Sequence, residues 1–483
     1  MMKKIFVFIY FSLILFLNNS YSYELTNKDL EEYFNNSSGK ESWYGIYDYS
    51  GKKIGWEHYN EFKEDDSWIL KISGELWIED SIESEKTQNK YHYDVKFNFD
   101  INYPYSLSYF ETKTKIDSDI SLLQASINNG IVSAIQNNNG LINKTVINNF
   151  FYSFSELNKT YILLHNKKIL IPGDKIKYDY FNFDTFDITN ETDKILSIKT
   201  KYIDGIKVQY YVIETEKSDA GLGFTSFVTT DGTLLEYNYS DYRILLESKE
   251  QAKLNLTYGG SSYDDIGVIL VDKLIENSES RKNLRLFIDG EYSDEFIYLN
   301  SNQSIVKEND THFLVLNQNT NNFDAVSKDE VKKNLRETIN YPIHNKLILE
   351  KLDFILPDKT ISDAEKVSKI LNFVYEYIED SYSSNSFNVF DILERKKGDC
   401  TEHALLFNTL VRASGIPSRE VSGLVYDFEN KFYFHAWNEV VINERWVPVD
   451  PTWNYNPNPI TSIKFNENID LSKVNFSFRM INQ

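Results

Sequence analysis

Cysteine is almost absent: Cys400 is the single thiol in 483 residues. One thiol excludes an internal disulfide, the framework on which many small exported domains depend. Glycine (19) and proline (9) are also sparse, whereas aromatic residues make up 15% of the chain. That balance argues against disorder and for strand-rich folding, because aromatic and β-branched side chains suit pleated, half-buried surfaces. Positive charge is in deficit. The 51 Lys and Arg residues face 72 Asp and Glu, a formal net charge of −21. Such a surface repels phosphate backbones and argues against a nucleic-acid partner, and it keeps the chain soluble. There is no convincing internal repeat, no low-complexity tract beyond local Asn clusters, and no long apolar run after the first 22 residues.

The exception is the amino terminus. Lys3 and Lys4 precede an apolar stretch from Ile5 to Leu17, and Ser20-Tyr21-Ser22 follows with small residues. This order reads as a signal peptide over residues 1–22, cleaved after Ser22. The stretch falls short of the roughly 20 residues of a comfortable membrane span, so membrane contact is expected only through this segment if it stays uncleaved. No cysteine follows it to carry a lipid anchor. The expected location is periplasmic or extracellular.

Length predicts two or three domains. Residues 23–258 read as a β-rich amino-terminal domain. Aromatic and aliphatic residues alternate from Tyr91 to Phe99, the period of a half-buried strand. Val208–Glu214 and Gly223–Thr230 read as strands, and Asp231-Gly232 as a tight turn into Thr233–Tyr239. A short helix is expected over Asp119–Ile127. Gly259-Gly260-Ser261-Ser262 reads as a joint to a smaller β-rich segment, 259–327. Residues 328–457 change character, and 458–483 read as a carboxyl-terminal tail.

In the third region, Lys328–Arg336 and Pro342–Leu352 predict short helices. Ser362-Asp363-Ala364-Glu365 is a capping box that opens a longer one, with Val367, Ile370, Leu371, Val374 and Ile378 at helical spacing. Val389–Arg395 predicts another short helix. Asp399-Cys400-Thr401-Glu402 is a second capping box, and Leu405, Leu406, Phe407, Leu410 and Val411 supply the apolar stripe behind it. Gly415 and Pro417 stop that helix. Strands are then expected over Arg419–Tyr426, Phe432–Ile442 and Arg445–Val449, the last two joined through Asn443-Glu444.

Cys400 therefore begins a helix, where the partial positive charge favours a thiolate and free N–H groups can hold an oxyanion. Asp399 and Glu402 oppose that field, so a histidine is needed to activate the sulfur. His435 lies in mid-strand, and Asp450 ends the next strand, where a hairpin can bring its carboxylate to the imidazole. His403, three residues after Cys400, is expected beside the site rather than as its base. Trp437 is expected as a packing or wall residue that excludes water. A zinc site built from Cys400, His403 and His435 lacks a fourth ligand and the usual spacing.

Four ordered blocks carry a resemblance. They are Gly398-Asp399-Cys400-Thr401-Glu402-His403-Ala404, Ala413 to Arg419, His435-Ala436-Trp437, and Trp446 to Thr452. Over roughly Ala364 to Trp453 the chain resembles the transglutaminase-like superfamily, in its bacterial branch. The resemblance implies an α+β, papain-like transglutaminase core in which the cysteine helix packs on an antiparallel sheet, behind a large antiparallel β-rich region. It implies Cys400 as nucleophile, His435 as base and Asp450 as orienting acid, and thioester chemistry on glutamine or peptide amides without a cofactor. Calcium, on which the animal enzymes depend, finds no acidic loop of EF-hand form here. Transfer to an amine, hydrolysis, peptidase or amidase action, and a catalytically idle scaffold stay open, as do the oligomeric state and a side-chain oxyanion donor, for which Asn385 and Asn388 are the nearest residues.

Overall fold

In a computed structural model, the alternating pattern of the amino-terminal half becomes one continuous sheet. The structure describes residues 23–480 except 49, 83–84, 117, 158, 183–186, 204–205, 218–223, 239–241, 259–267, 292–295, 310, 319–322, 382–387, 427–429 and 467–474. The expected signal segment, the Gly259–Ser262 joint and Asn385 lie outside the described residues.

Among the described residues, fourteen strands form that sheet. They are β1 (Lys40–Asp48), β2 (Lys53–Glu64), β3 (Ser67–Ile82), β4 (Glu85–Asp100), β5 (Leu107–Ile116), β6 (Asp119–Asn128), β7 (Ile131–Asn138), β8 (Leu141–Asn148), β9 (Lys175–Asn182), β10 (Asp187–Ile203), β11 (Ile206–Lys217), β12 (Phe224–Thr229), β13 (Leu234–Asn238) and β14 (Tyr242–Glu247). Two antiparallel meanders, β1 to β8 and β9 to β14, meet where β1 pairs with β14. Helices α1 (Asn27–Ser37), α2 (Phe154–Leu157) and α3 (Lys159–His165) cover one face. Leu30, Tyr33 and Phe34 of α1 pack with Trp68, Phe97, Phe99 and Phe110. Leu163 and Leu164 of α3 pack with Ile176, Ile195 and Ile213 of the other meander. Each fully buried aromatic or aliphatic side chain here contributes about 1.5–3 kcal/mol.

Asp119–Ile127, expected as a helix, is instead strand β6. Ile120, Leu123 and Ile127 suit a helical stripe, but Leu123, Ala125 and Ile127 also alternate, and both β5 and β7 pair with this segment. Two ladders outweigh a weak local preference. Asp231-Gly232 makes the expected turn between β12 and β13, with Gly232 at φ +84°.

After α4 (Lys249–Ala252) come β15 (Val268–Leu270), β16 (Asn283–Glu291), β17 (Gln303–Glu308), β18 (Thr311–Asn317), α5 (Lys328–Lys333), α6 (Lys346–Ile355), α7 (Asp363–Tyr377), β19 (Glu379–Asp380), α8 (Val389–Arg395), β20 (Lys397–Gly398) and α9 (Cys400–Ala413). The chain closes with β21 (Ser418–Tyr426), β22 (Lys431–Ile442), β23 (Arg445–Val449), β24 (Ser462–Lys464) and β25 (Asn475–Met480). Helix α6 starts at Lys346 rather than Pro342 because the Asn345 side chain caps it, accepting the Leu347 N–H at 2.9 Å. The Asn443-Glu444 hairpin forms with both residues at positive φ, 51° and 61°.

Two of the expected segments do not stand apart. Strand β15 pairs with β22, so residues before 328 complete the sheet that carries His435. Residues 458–483, expected as a tail, supply β24, which pairs with β21, and β25, which pairs with β16. Local composition carries no mark of such distant pairings. Phe478 of β25 is 1% exposed, and its ring centroid lies 5.2 Å from that of Phe432 in β22. Phe478→Ala should therefore cost about 3–5 kcal/mol, read as a lower urea midpoint. An unchanged midpoint would make β25 dispensable.

Candidate active site

Helix α9 is fixed at both ends and along its length. The Asp399 carboxylate accepts the Thr401 N–H at 2.7 Å, and Glu402 Oε2 accepts the Asp399 N–H at 2.8 Å. Glu402 can fold back only because Gly398 lacks a side chain; a Cβ there would stand 2.3 Å from the Glu402 Cβ. Just upstream, β19 and β20 pair in parallel and hold the approach to Cys400. Ala404, Leu406, Phe407, Leu410 and Val411 are fully buried. Leu406, Phe407, Leu410 and Val411 pack with residues of α6, α7 and α8 and with Val440 and Val449 of the sheet. Asn438 Nδ2 of β22 donates to the Ala404 carbonyl at 3.1 Å, tying the strand to the first turns of the helix.

The opposite half of the site lies at an interruption in the sheet. On one edge, β22 pairs with β15 through Lys431–Tyr433 and with β23 through Asn438–Ile442. Among the described residues, no strand pairs with Phe434–Trp437 on that edge. His435 stands in this gap. Its Nε2 lies 2.9 Å from Asp450 Oδ2, immediately after β23 ends. Asp450 is fully buried, and its Oδ1 accepts the Thr452 N–H at 2.9 Å. Cys400 is partly exposed, and its side chain is close enough to the His435 ring to act on its charge. Since Nε2 faces Asp450, Nδ1 is the ring nitrogen left open to another partner.

Burial disfavours a charged His435 ring, but the hydrogen bonds and charges of Asp450 and Cys400 outweigh it and push its pKa up to about 10. The arrangement thus favours an imidazolium held between a carboxylate and a sulfur.

Trp453 is the residue that sequence reasoning missed. Its ring lies flat on the His435 ring, with centroids 4.6 Å apart and planes 6° from parallel. An aromatic residue three places after Asp450 was visible, but stacking across a loop has no spacing rule. Trp437 is 1% exposed, 6.3 Å from the His435 ring, and packs with Val421 and Val425. His403 does not join the cluster: its Nδ1 donates to the Asp399 carbonyl at 2.7 Å, bracing the helix start, and its Nε2 is 3.9 Å from Asp380 Oδ1. Asn388 caps α8 by accepting the Phe390 and Asp391 N–H groups, and its Nδ2 has no partner among the described residues. Among the described residues, no group of three His, Cys, Asp or Glu side chains converges to hold a metal.

Residues 356–451 match the transglutaminase-like superfamily, a stretch that encloses Cys400, His435 and Asp450. Kyphoscoliosis peptidase of Mus musculus is 31% identical over 117 residues, covering 22% of this chain and 18% of that protein. The Homo sapiens protein of the same name is 30% identical over 118 residues, with the same coverage. The chain thus matches less than a fifth of the length of these relatives. A solved structure of a proposed cysteine protease from Cytophaga hutchinsonii overlaps 44% of this chain and 82% of its own, at 17% identity and a TM-score of 0.27.

Two outcomes follow from this geometry. A histidine pKa raised from 6.5 to about 10 on folding contributes stability that is complete below pH 6.5 and lost as pH rises toward 10. The melting temperature of the wild type should fall across that window, and His435→Gln should flatten the fall. Trp453→Ala should slow alkylation of Cys400 by iodoacetamide about tenfold at neutral pH, a hydrogen-bond-sized loss of ring positioning, while Trp453→Phe restores it. Equal rates in all three proteins would sink the positioning role.

Proposed function

We propose, from the transglutaminase-like domain at residues 356–451, that the chain is a thiol-dependent enzyme that carries acyl groups from glutamine or peptide amides on Cys400. The observation that carries this reading is the bond from His435 to buried Asp450 beside a cysteine that raises the pKa of the same ring. Packing of α9 against β22 and β23 supports a papain-like core.

The chemistry follows from the charges. The Cys400 thiolate adds to the amide carbon. The imidazolium gives its Nδ1 proton to the departing nitrogen as the C–N bond breaks, leaving a thioester. An amine or water then attacks, returns a proton to Nδ1 and releases the thiolate. Thr401 and Glu402 direct their N–H groups to the Asp399 side chain, and His403 directs its own to the Asp399 carbonyl. The Cys400 N–H is thus the first-turn donor left for the oxyanion. Asp450 holds the ring and stabilises its charge. Trp453 and Trp437 flank the imidazole and keep water from it.

The relatives named as peptidases favour peptide hydrolysis as the second reading. The basic and apolar opening of the chain supports export to the periplasm or beyond. Mass spectrometry of glutamine-containing peptides incubated with and without a primary amine separates the outcomes: amine-linked products mark transfer, a one-dalton gain marks deamidation, and shorter peptides mark cleavage. Cys400→Ala should abolish every product, and His435→Ala should lower the rate by about 10³-fold or more. Asp450→Asn should lower it by about 10²–10⁴-fold, and His403→Ala by roughly tenfold at most. Products undiminished in Cys400→Ala, or a native Cys400 inert to thiol-directed probes, would reduce the domain to a scaffold.

A further inference from the structure

A cavity of about 80 Å³ is lined by Trp437 and lies between β22–β23 and the sheet of β17, β18, β16 and β25. That space exceeds the roughly 10–15 Å³ one water needs, and suits a small organic group. Trp437, Trp446, Pro448 and Ile460 give it apolar walls. Its polar side chains are mostly committed. Gln303 Nε2 donates to the Tyr298 and Lys464 carbonyls, and its Oε1 accepts the Lys464 N–H. Glu439 is held below the usual carboxylate range: burial opposes this, but the Lys464 and Arg419 charges at 2.8 and 2.7 Å prevail.

Asn458 is different. It lines the cavity and is 5% exposed, and neither its Nδ2 nor its Oδ1 has a hydrogen-bond partner among the described residues. A buried amide with both functions unspent is costly, because each lost its water on folding. We propose that this cavity binds a small neutral ligand through a primary carboxamide that pairs with Asn458.

The chemistry selects that group. Asn458 presents one acceptor and one donor side by side. A primary amide answers both at once, through two antiparallel N–H···O bonds. A secondary amide in its trans form holds N–H and C=O on opposite sides and makes only one of them. A carboxylate would meet Asp324 in the wall and find Lys464 and Arg419 already taken by Glu439. An apolar ligand would leave Asn458 unanswered. The carboxamide fits either a free amino acid amide or a glutamine or asparagine side chain of a peptide. The site is separate from Cys400: neither Cys400, His435 nor Asp450 lines the cavity.

Saturation-transfer NMR on the full chain tests this with propionamide, N-methylpropionamide and propionate. Propionamide should bind saturably in the millimolar range, and the other two at least tenfold more weakly. Asn458→Leu should weaken propionamide tenfold or more, as should the milder Asn458→Ser should the leucine variant melt early. Cys400→Ala should leave its affinity unchanged. Free glutamine and a capped glutamine tripeptide then distinguish the two sources. Equal binding of propionamide and N-methylpropionamide, no saturable binding, or affinity indifferent to both Asn458 variants would each overturn the proposal and leave a cavity holding water only.

Discussion

The hydrogen bond between Asp450 and His435 is the constraint on which the site depends. A carboxylate with no solvent exposure requires a partner, because an unpaired buried charge is among the most expensive things a fold can hold. His435 meets that requirement at 2.9 Å, and the Thr452 N–H satisfies the other oxygen. The same contact fixes the tautomer, because Nε2 is spent on Asp450 and Nδ1 is left for sulfur. It also favours a charged ring. Removing either partner strands the other, a loss of about 3–5 kcal/mol for buried pairs. The stability of this site therefore rests on one interaction.

That contact would be idle without the helix that delivers the sulfur. Two capping carboxylates hold the α9 start, and the Gly398–Glu402 approach leaves no room for a side chain at 398. The carboxylates that fix Cys400 in place also oppose the helix field that favours its thiolate. Position comes from the cap, and the imidazole whose pKa is raised stands across from it at the gap in the sheet. The gap follows from two short partners, β15 and β23, neither of which reaches Phe434–Trp437.

Legibility in the sequence followed the range of the interactions. Capping boxes, stripes and turns are local, and the elements they predict around Ser362, Asp399, Gly415 and Asn443 stand in the structure. The cluster of Cys400, His435 and Asp450 was readable because three separate blocks carried it in order. Where two local patterns competed, as at Asp119–Ile127, the sheet decided through neighbours that a window of sequence does not contain. Distant pairings were silent for the same reason. Nothing in Val268–Leu270 or Asn475–Met480 announces a partner far along the chain. Trp453 and Asn458 fall in this class, since one matters by stacking and the other by what it lacks.

The loop after β23 joins these scales. Asp450 and Tyr455 exchange both backbone hydrogen bonds, closing a tight loop that carries Thr452 and Trp453. Outside the loop, Asn454 Nδ2 donates to Asn372 Oδ1 of α7 at 2.7 Å, and the Tyr455 hydroxyl donates to Glu279 at 2.6 Å. The Asn458 N–H donates to the Pro448 carbonyl at 3.0 Å, closing the chain back onto β23. Each bond is worth only about 0.5–1.5 kcal/mol, and those near solvent less. Together they anchor the loop to α7, to the segment before the domain and to its own strand. Trp453 is more than one-third exposed, so packing alone does not hold its ring over His435. The loop's anchors limit where that ring can go. The segment that contains Glu279 is therefore tied, through Tyr455, to the loop that carries the ring stacked on His435.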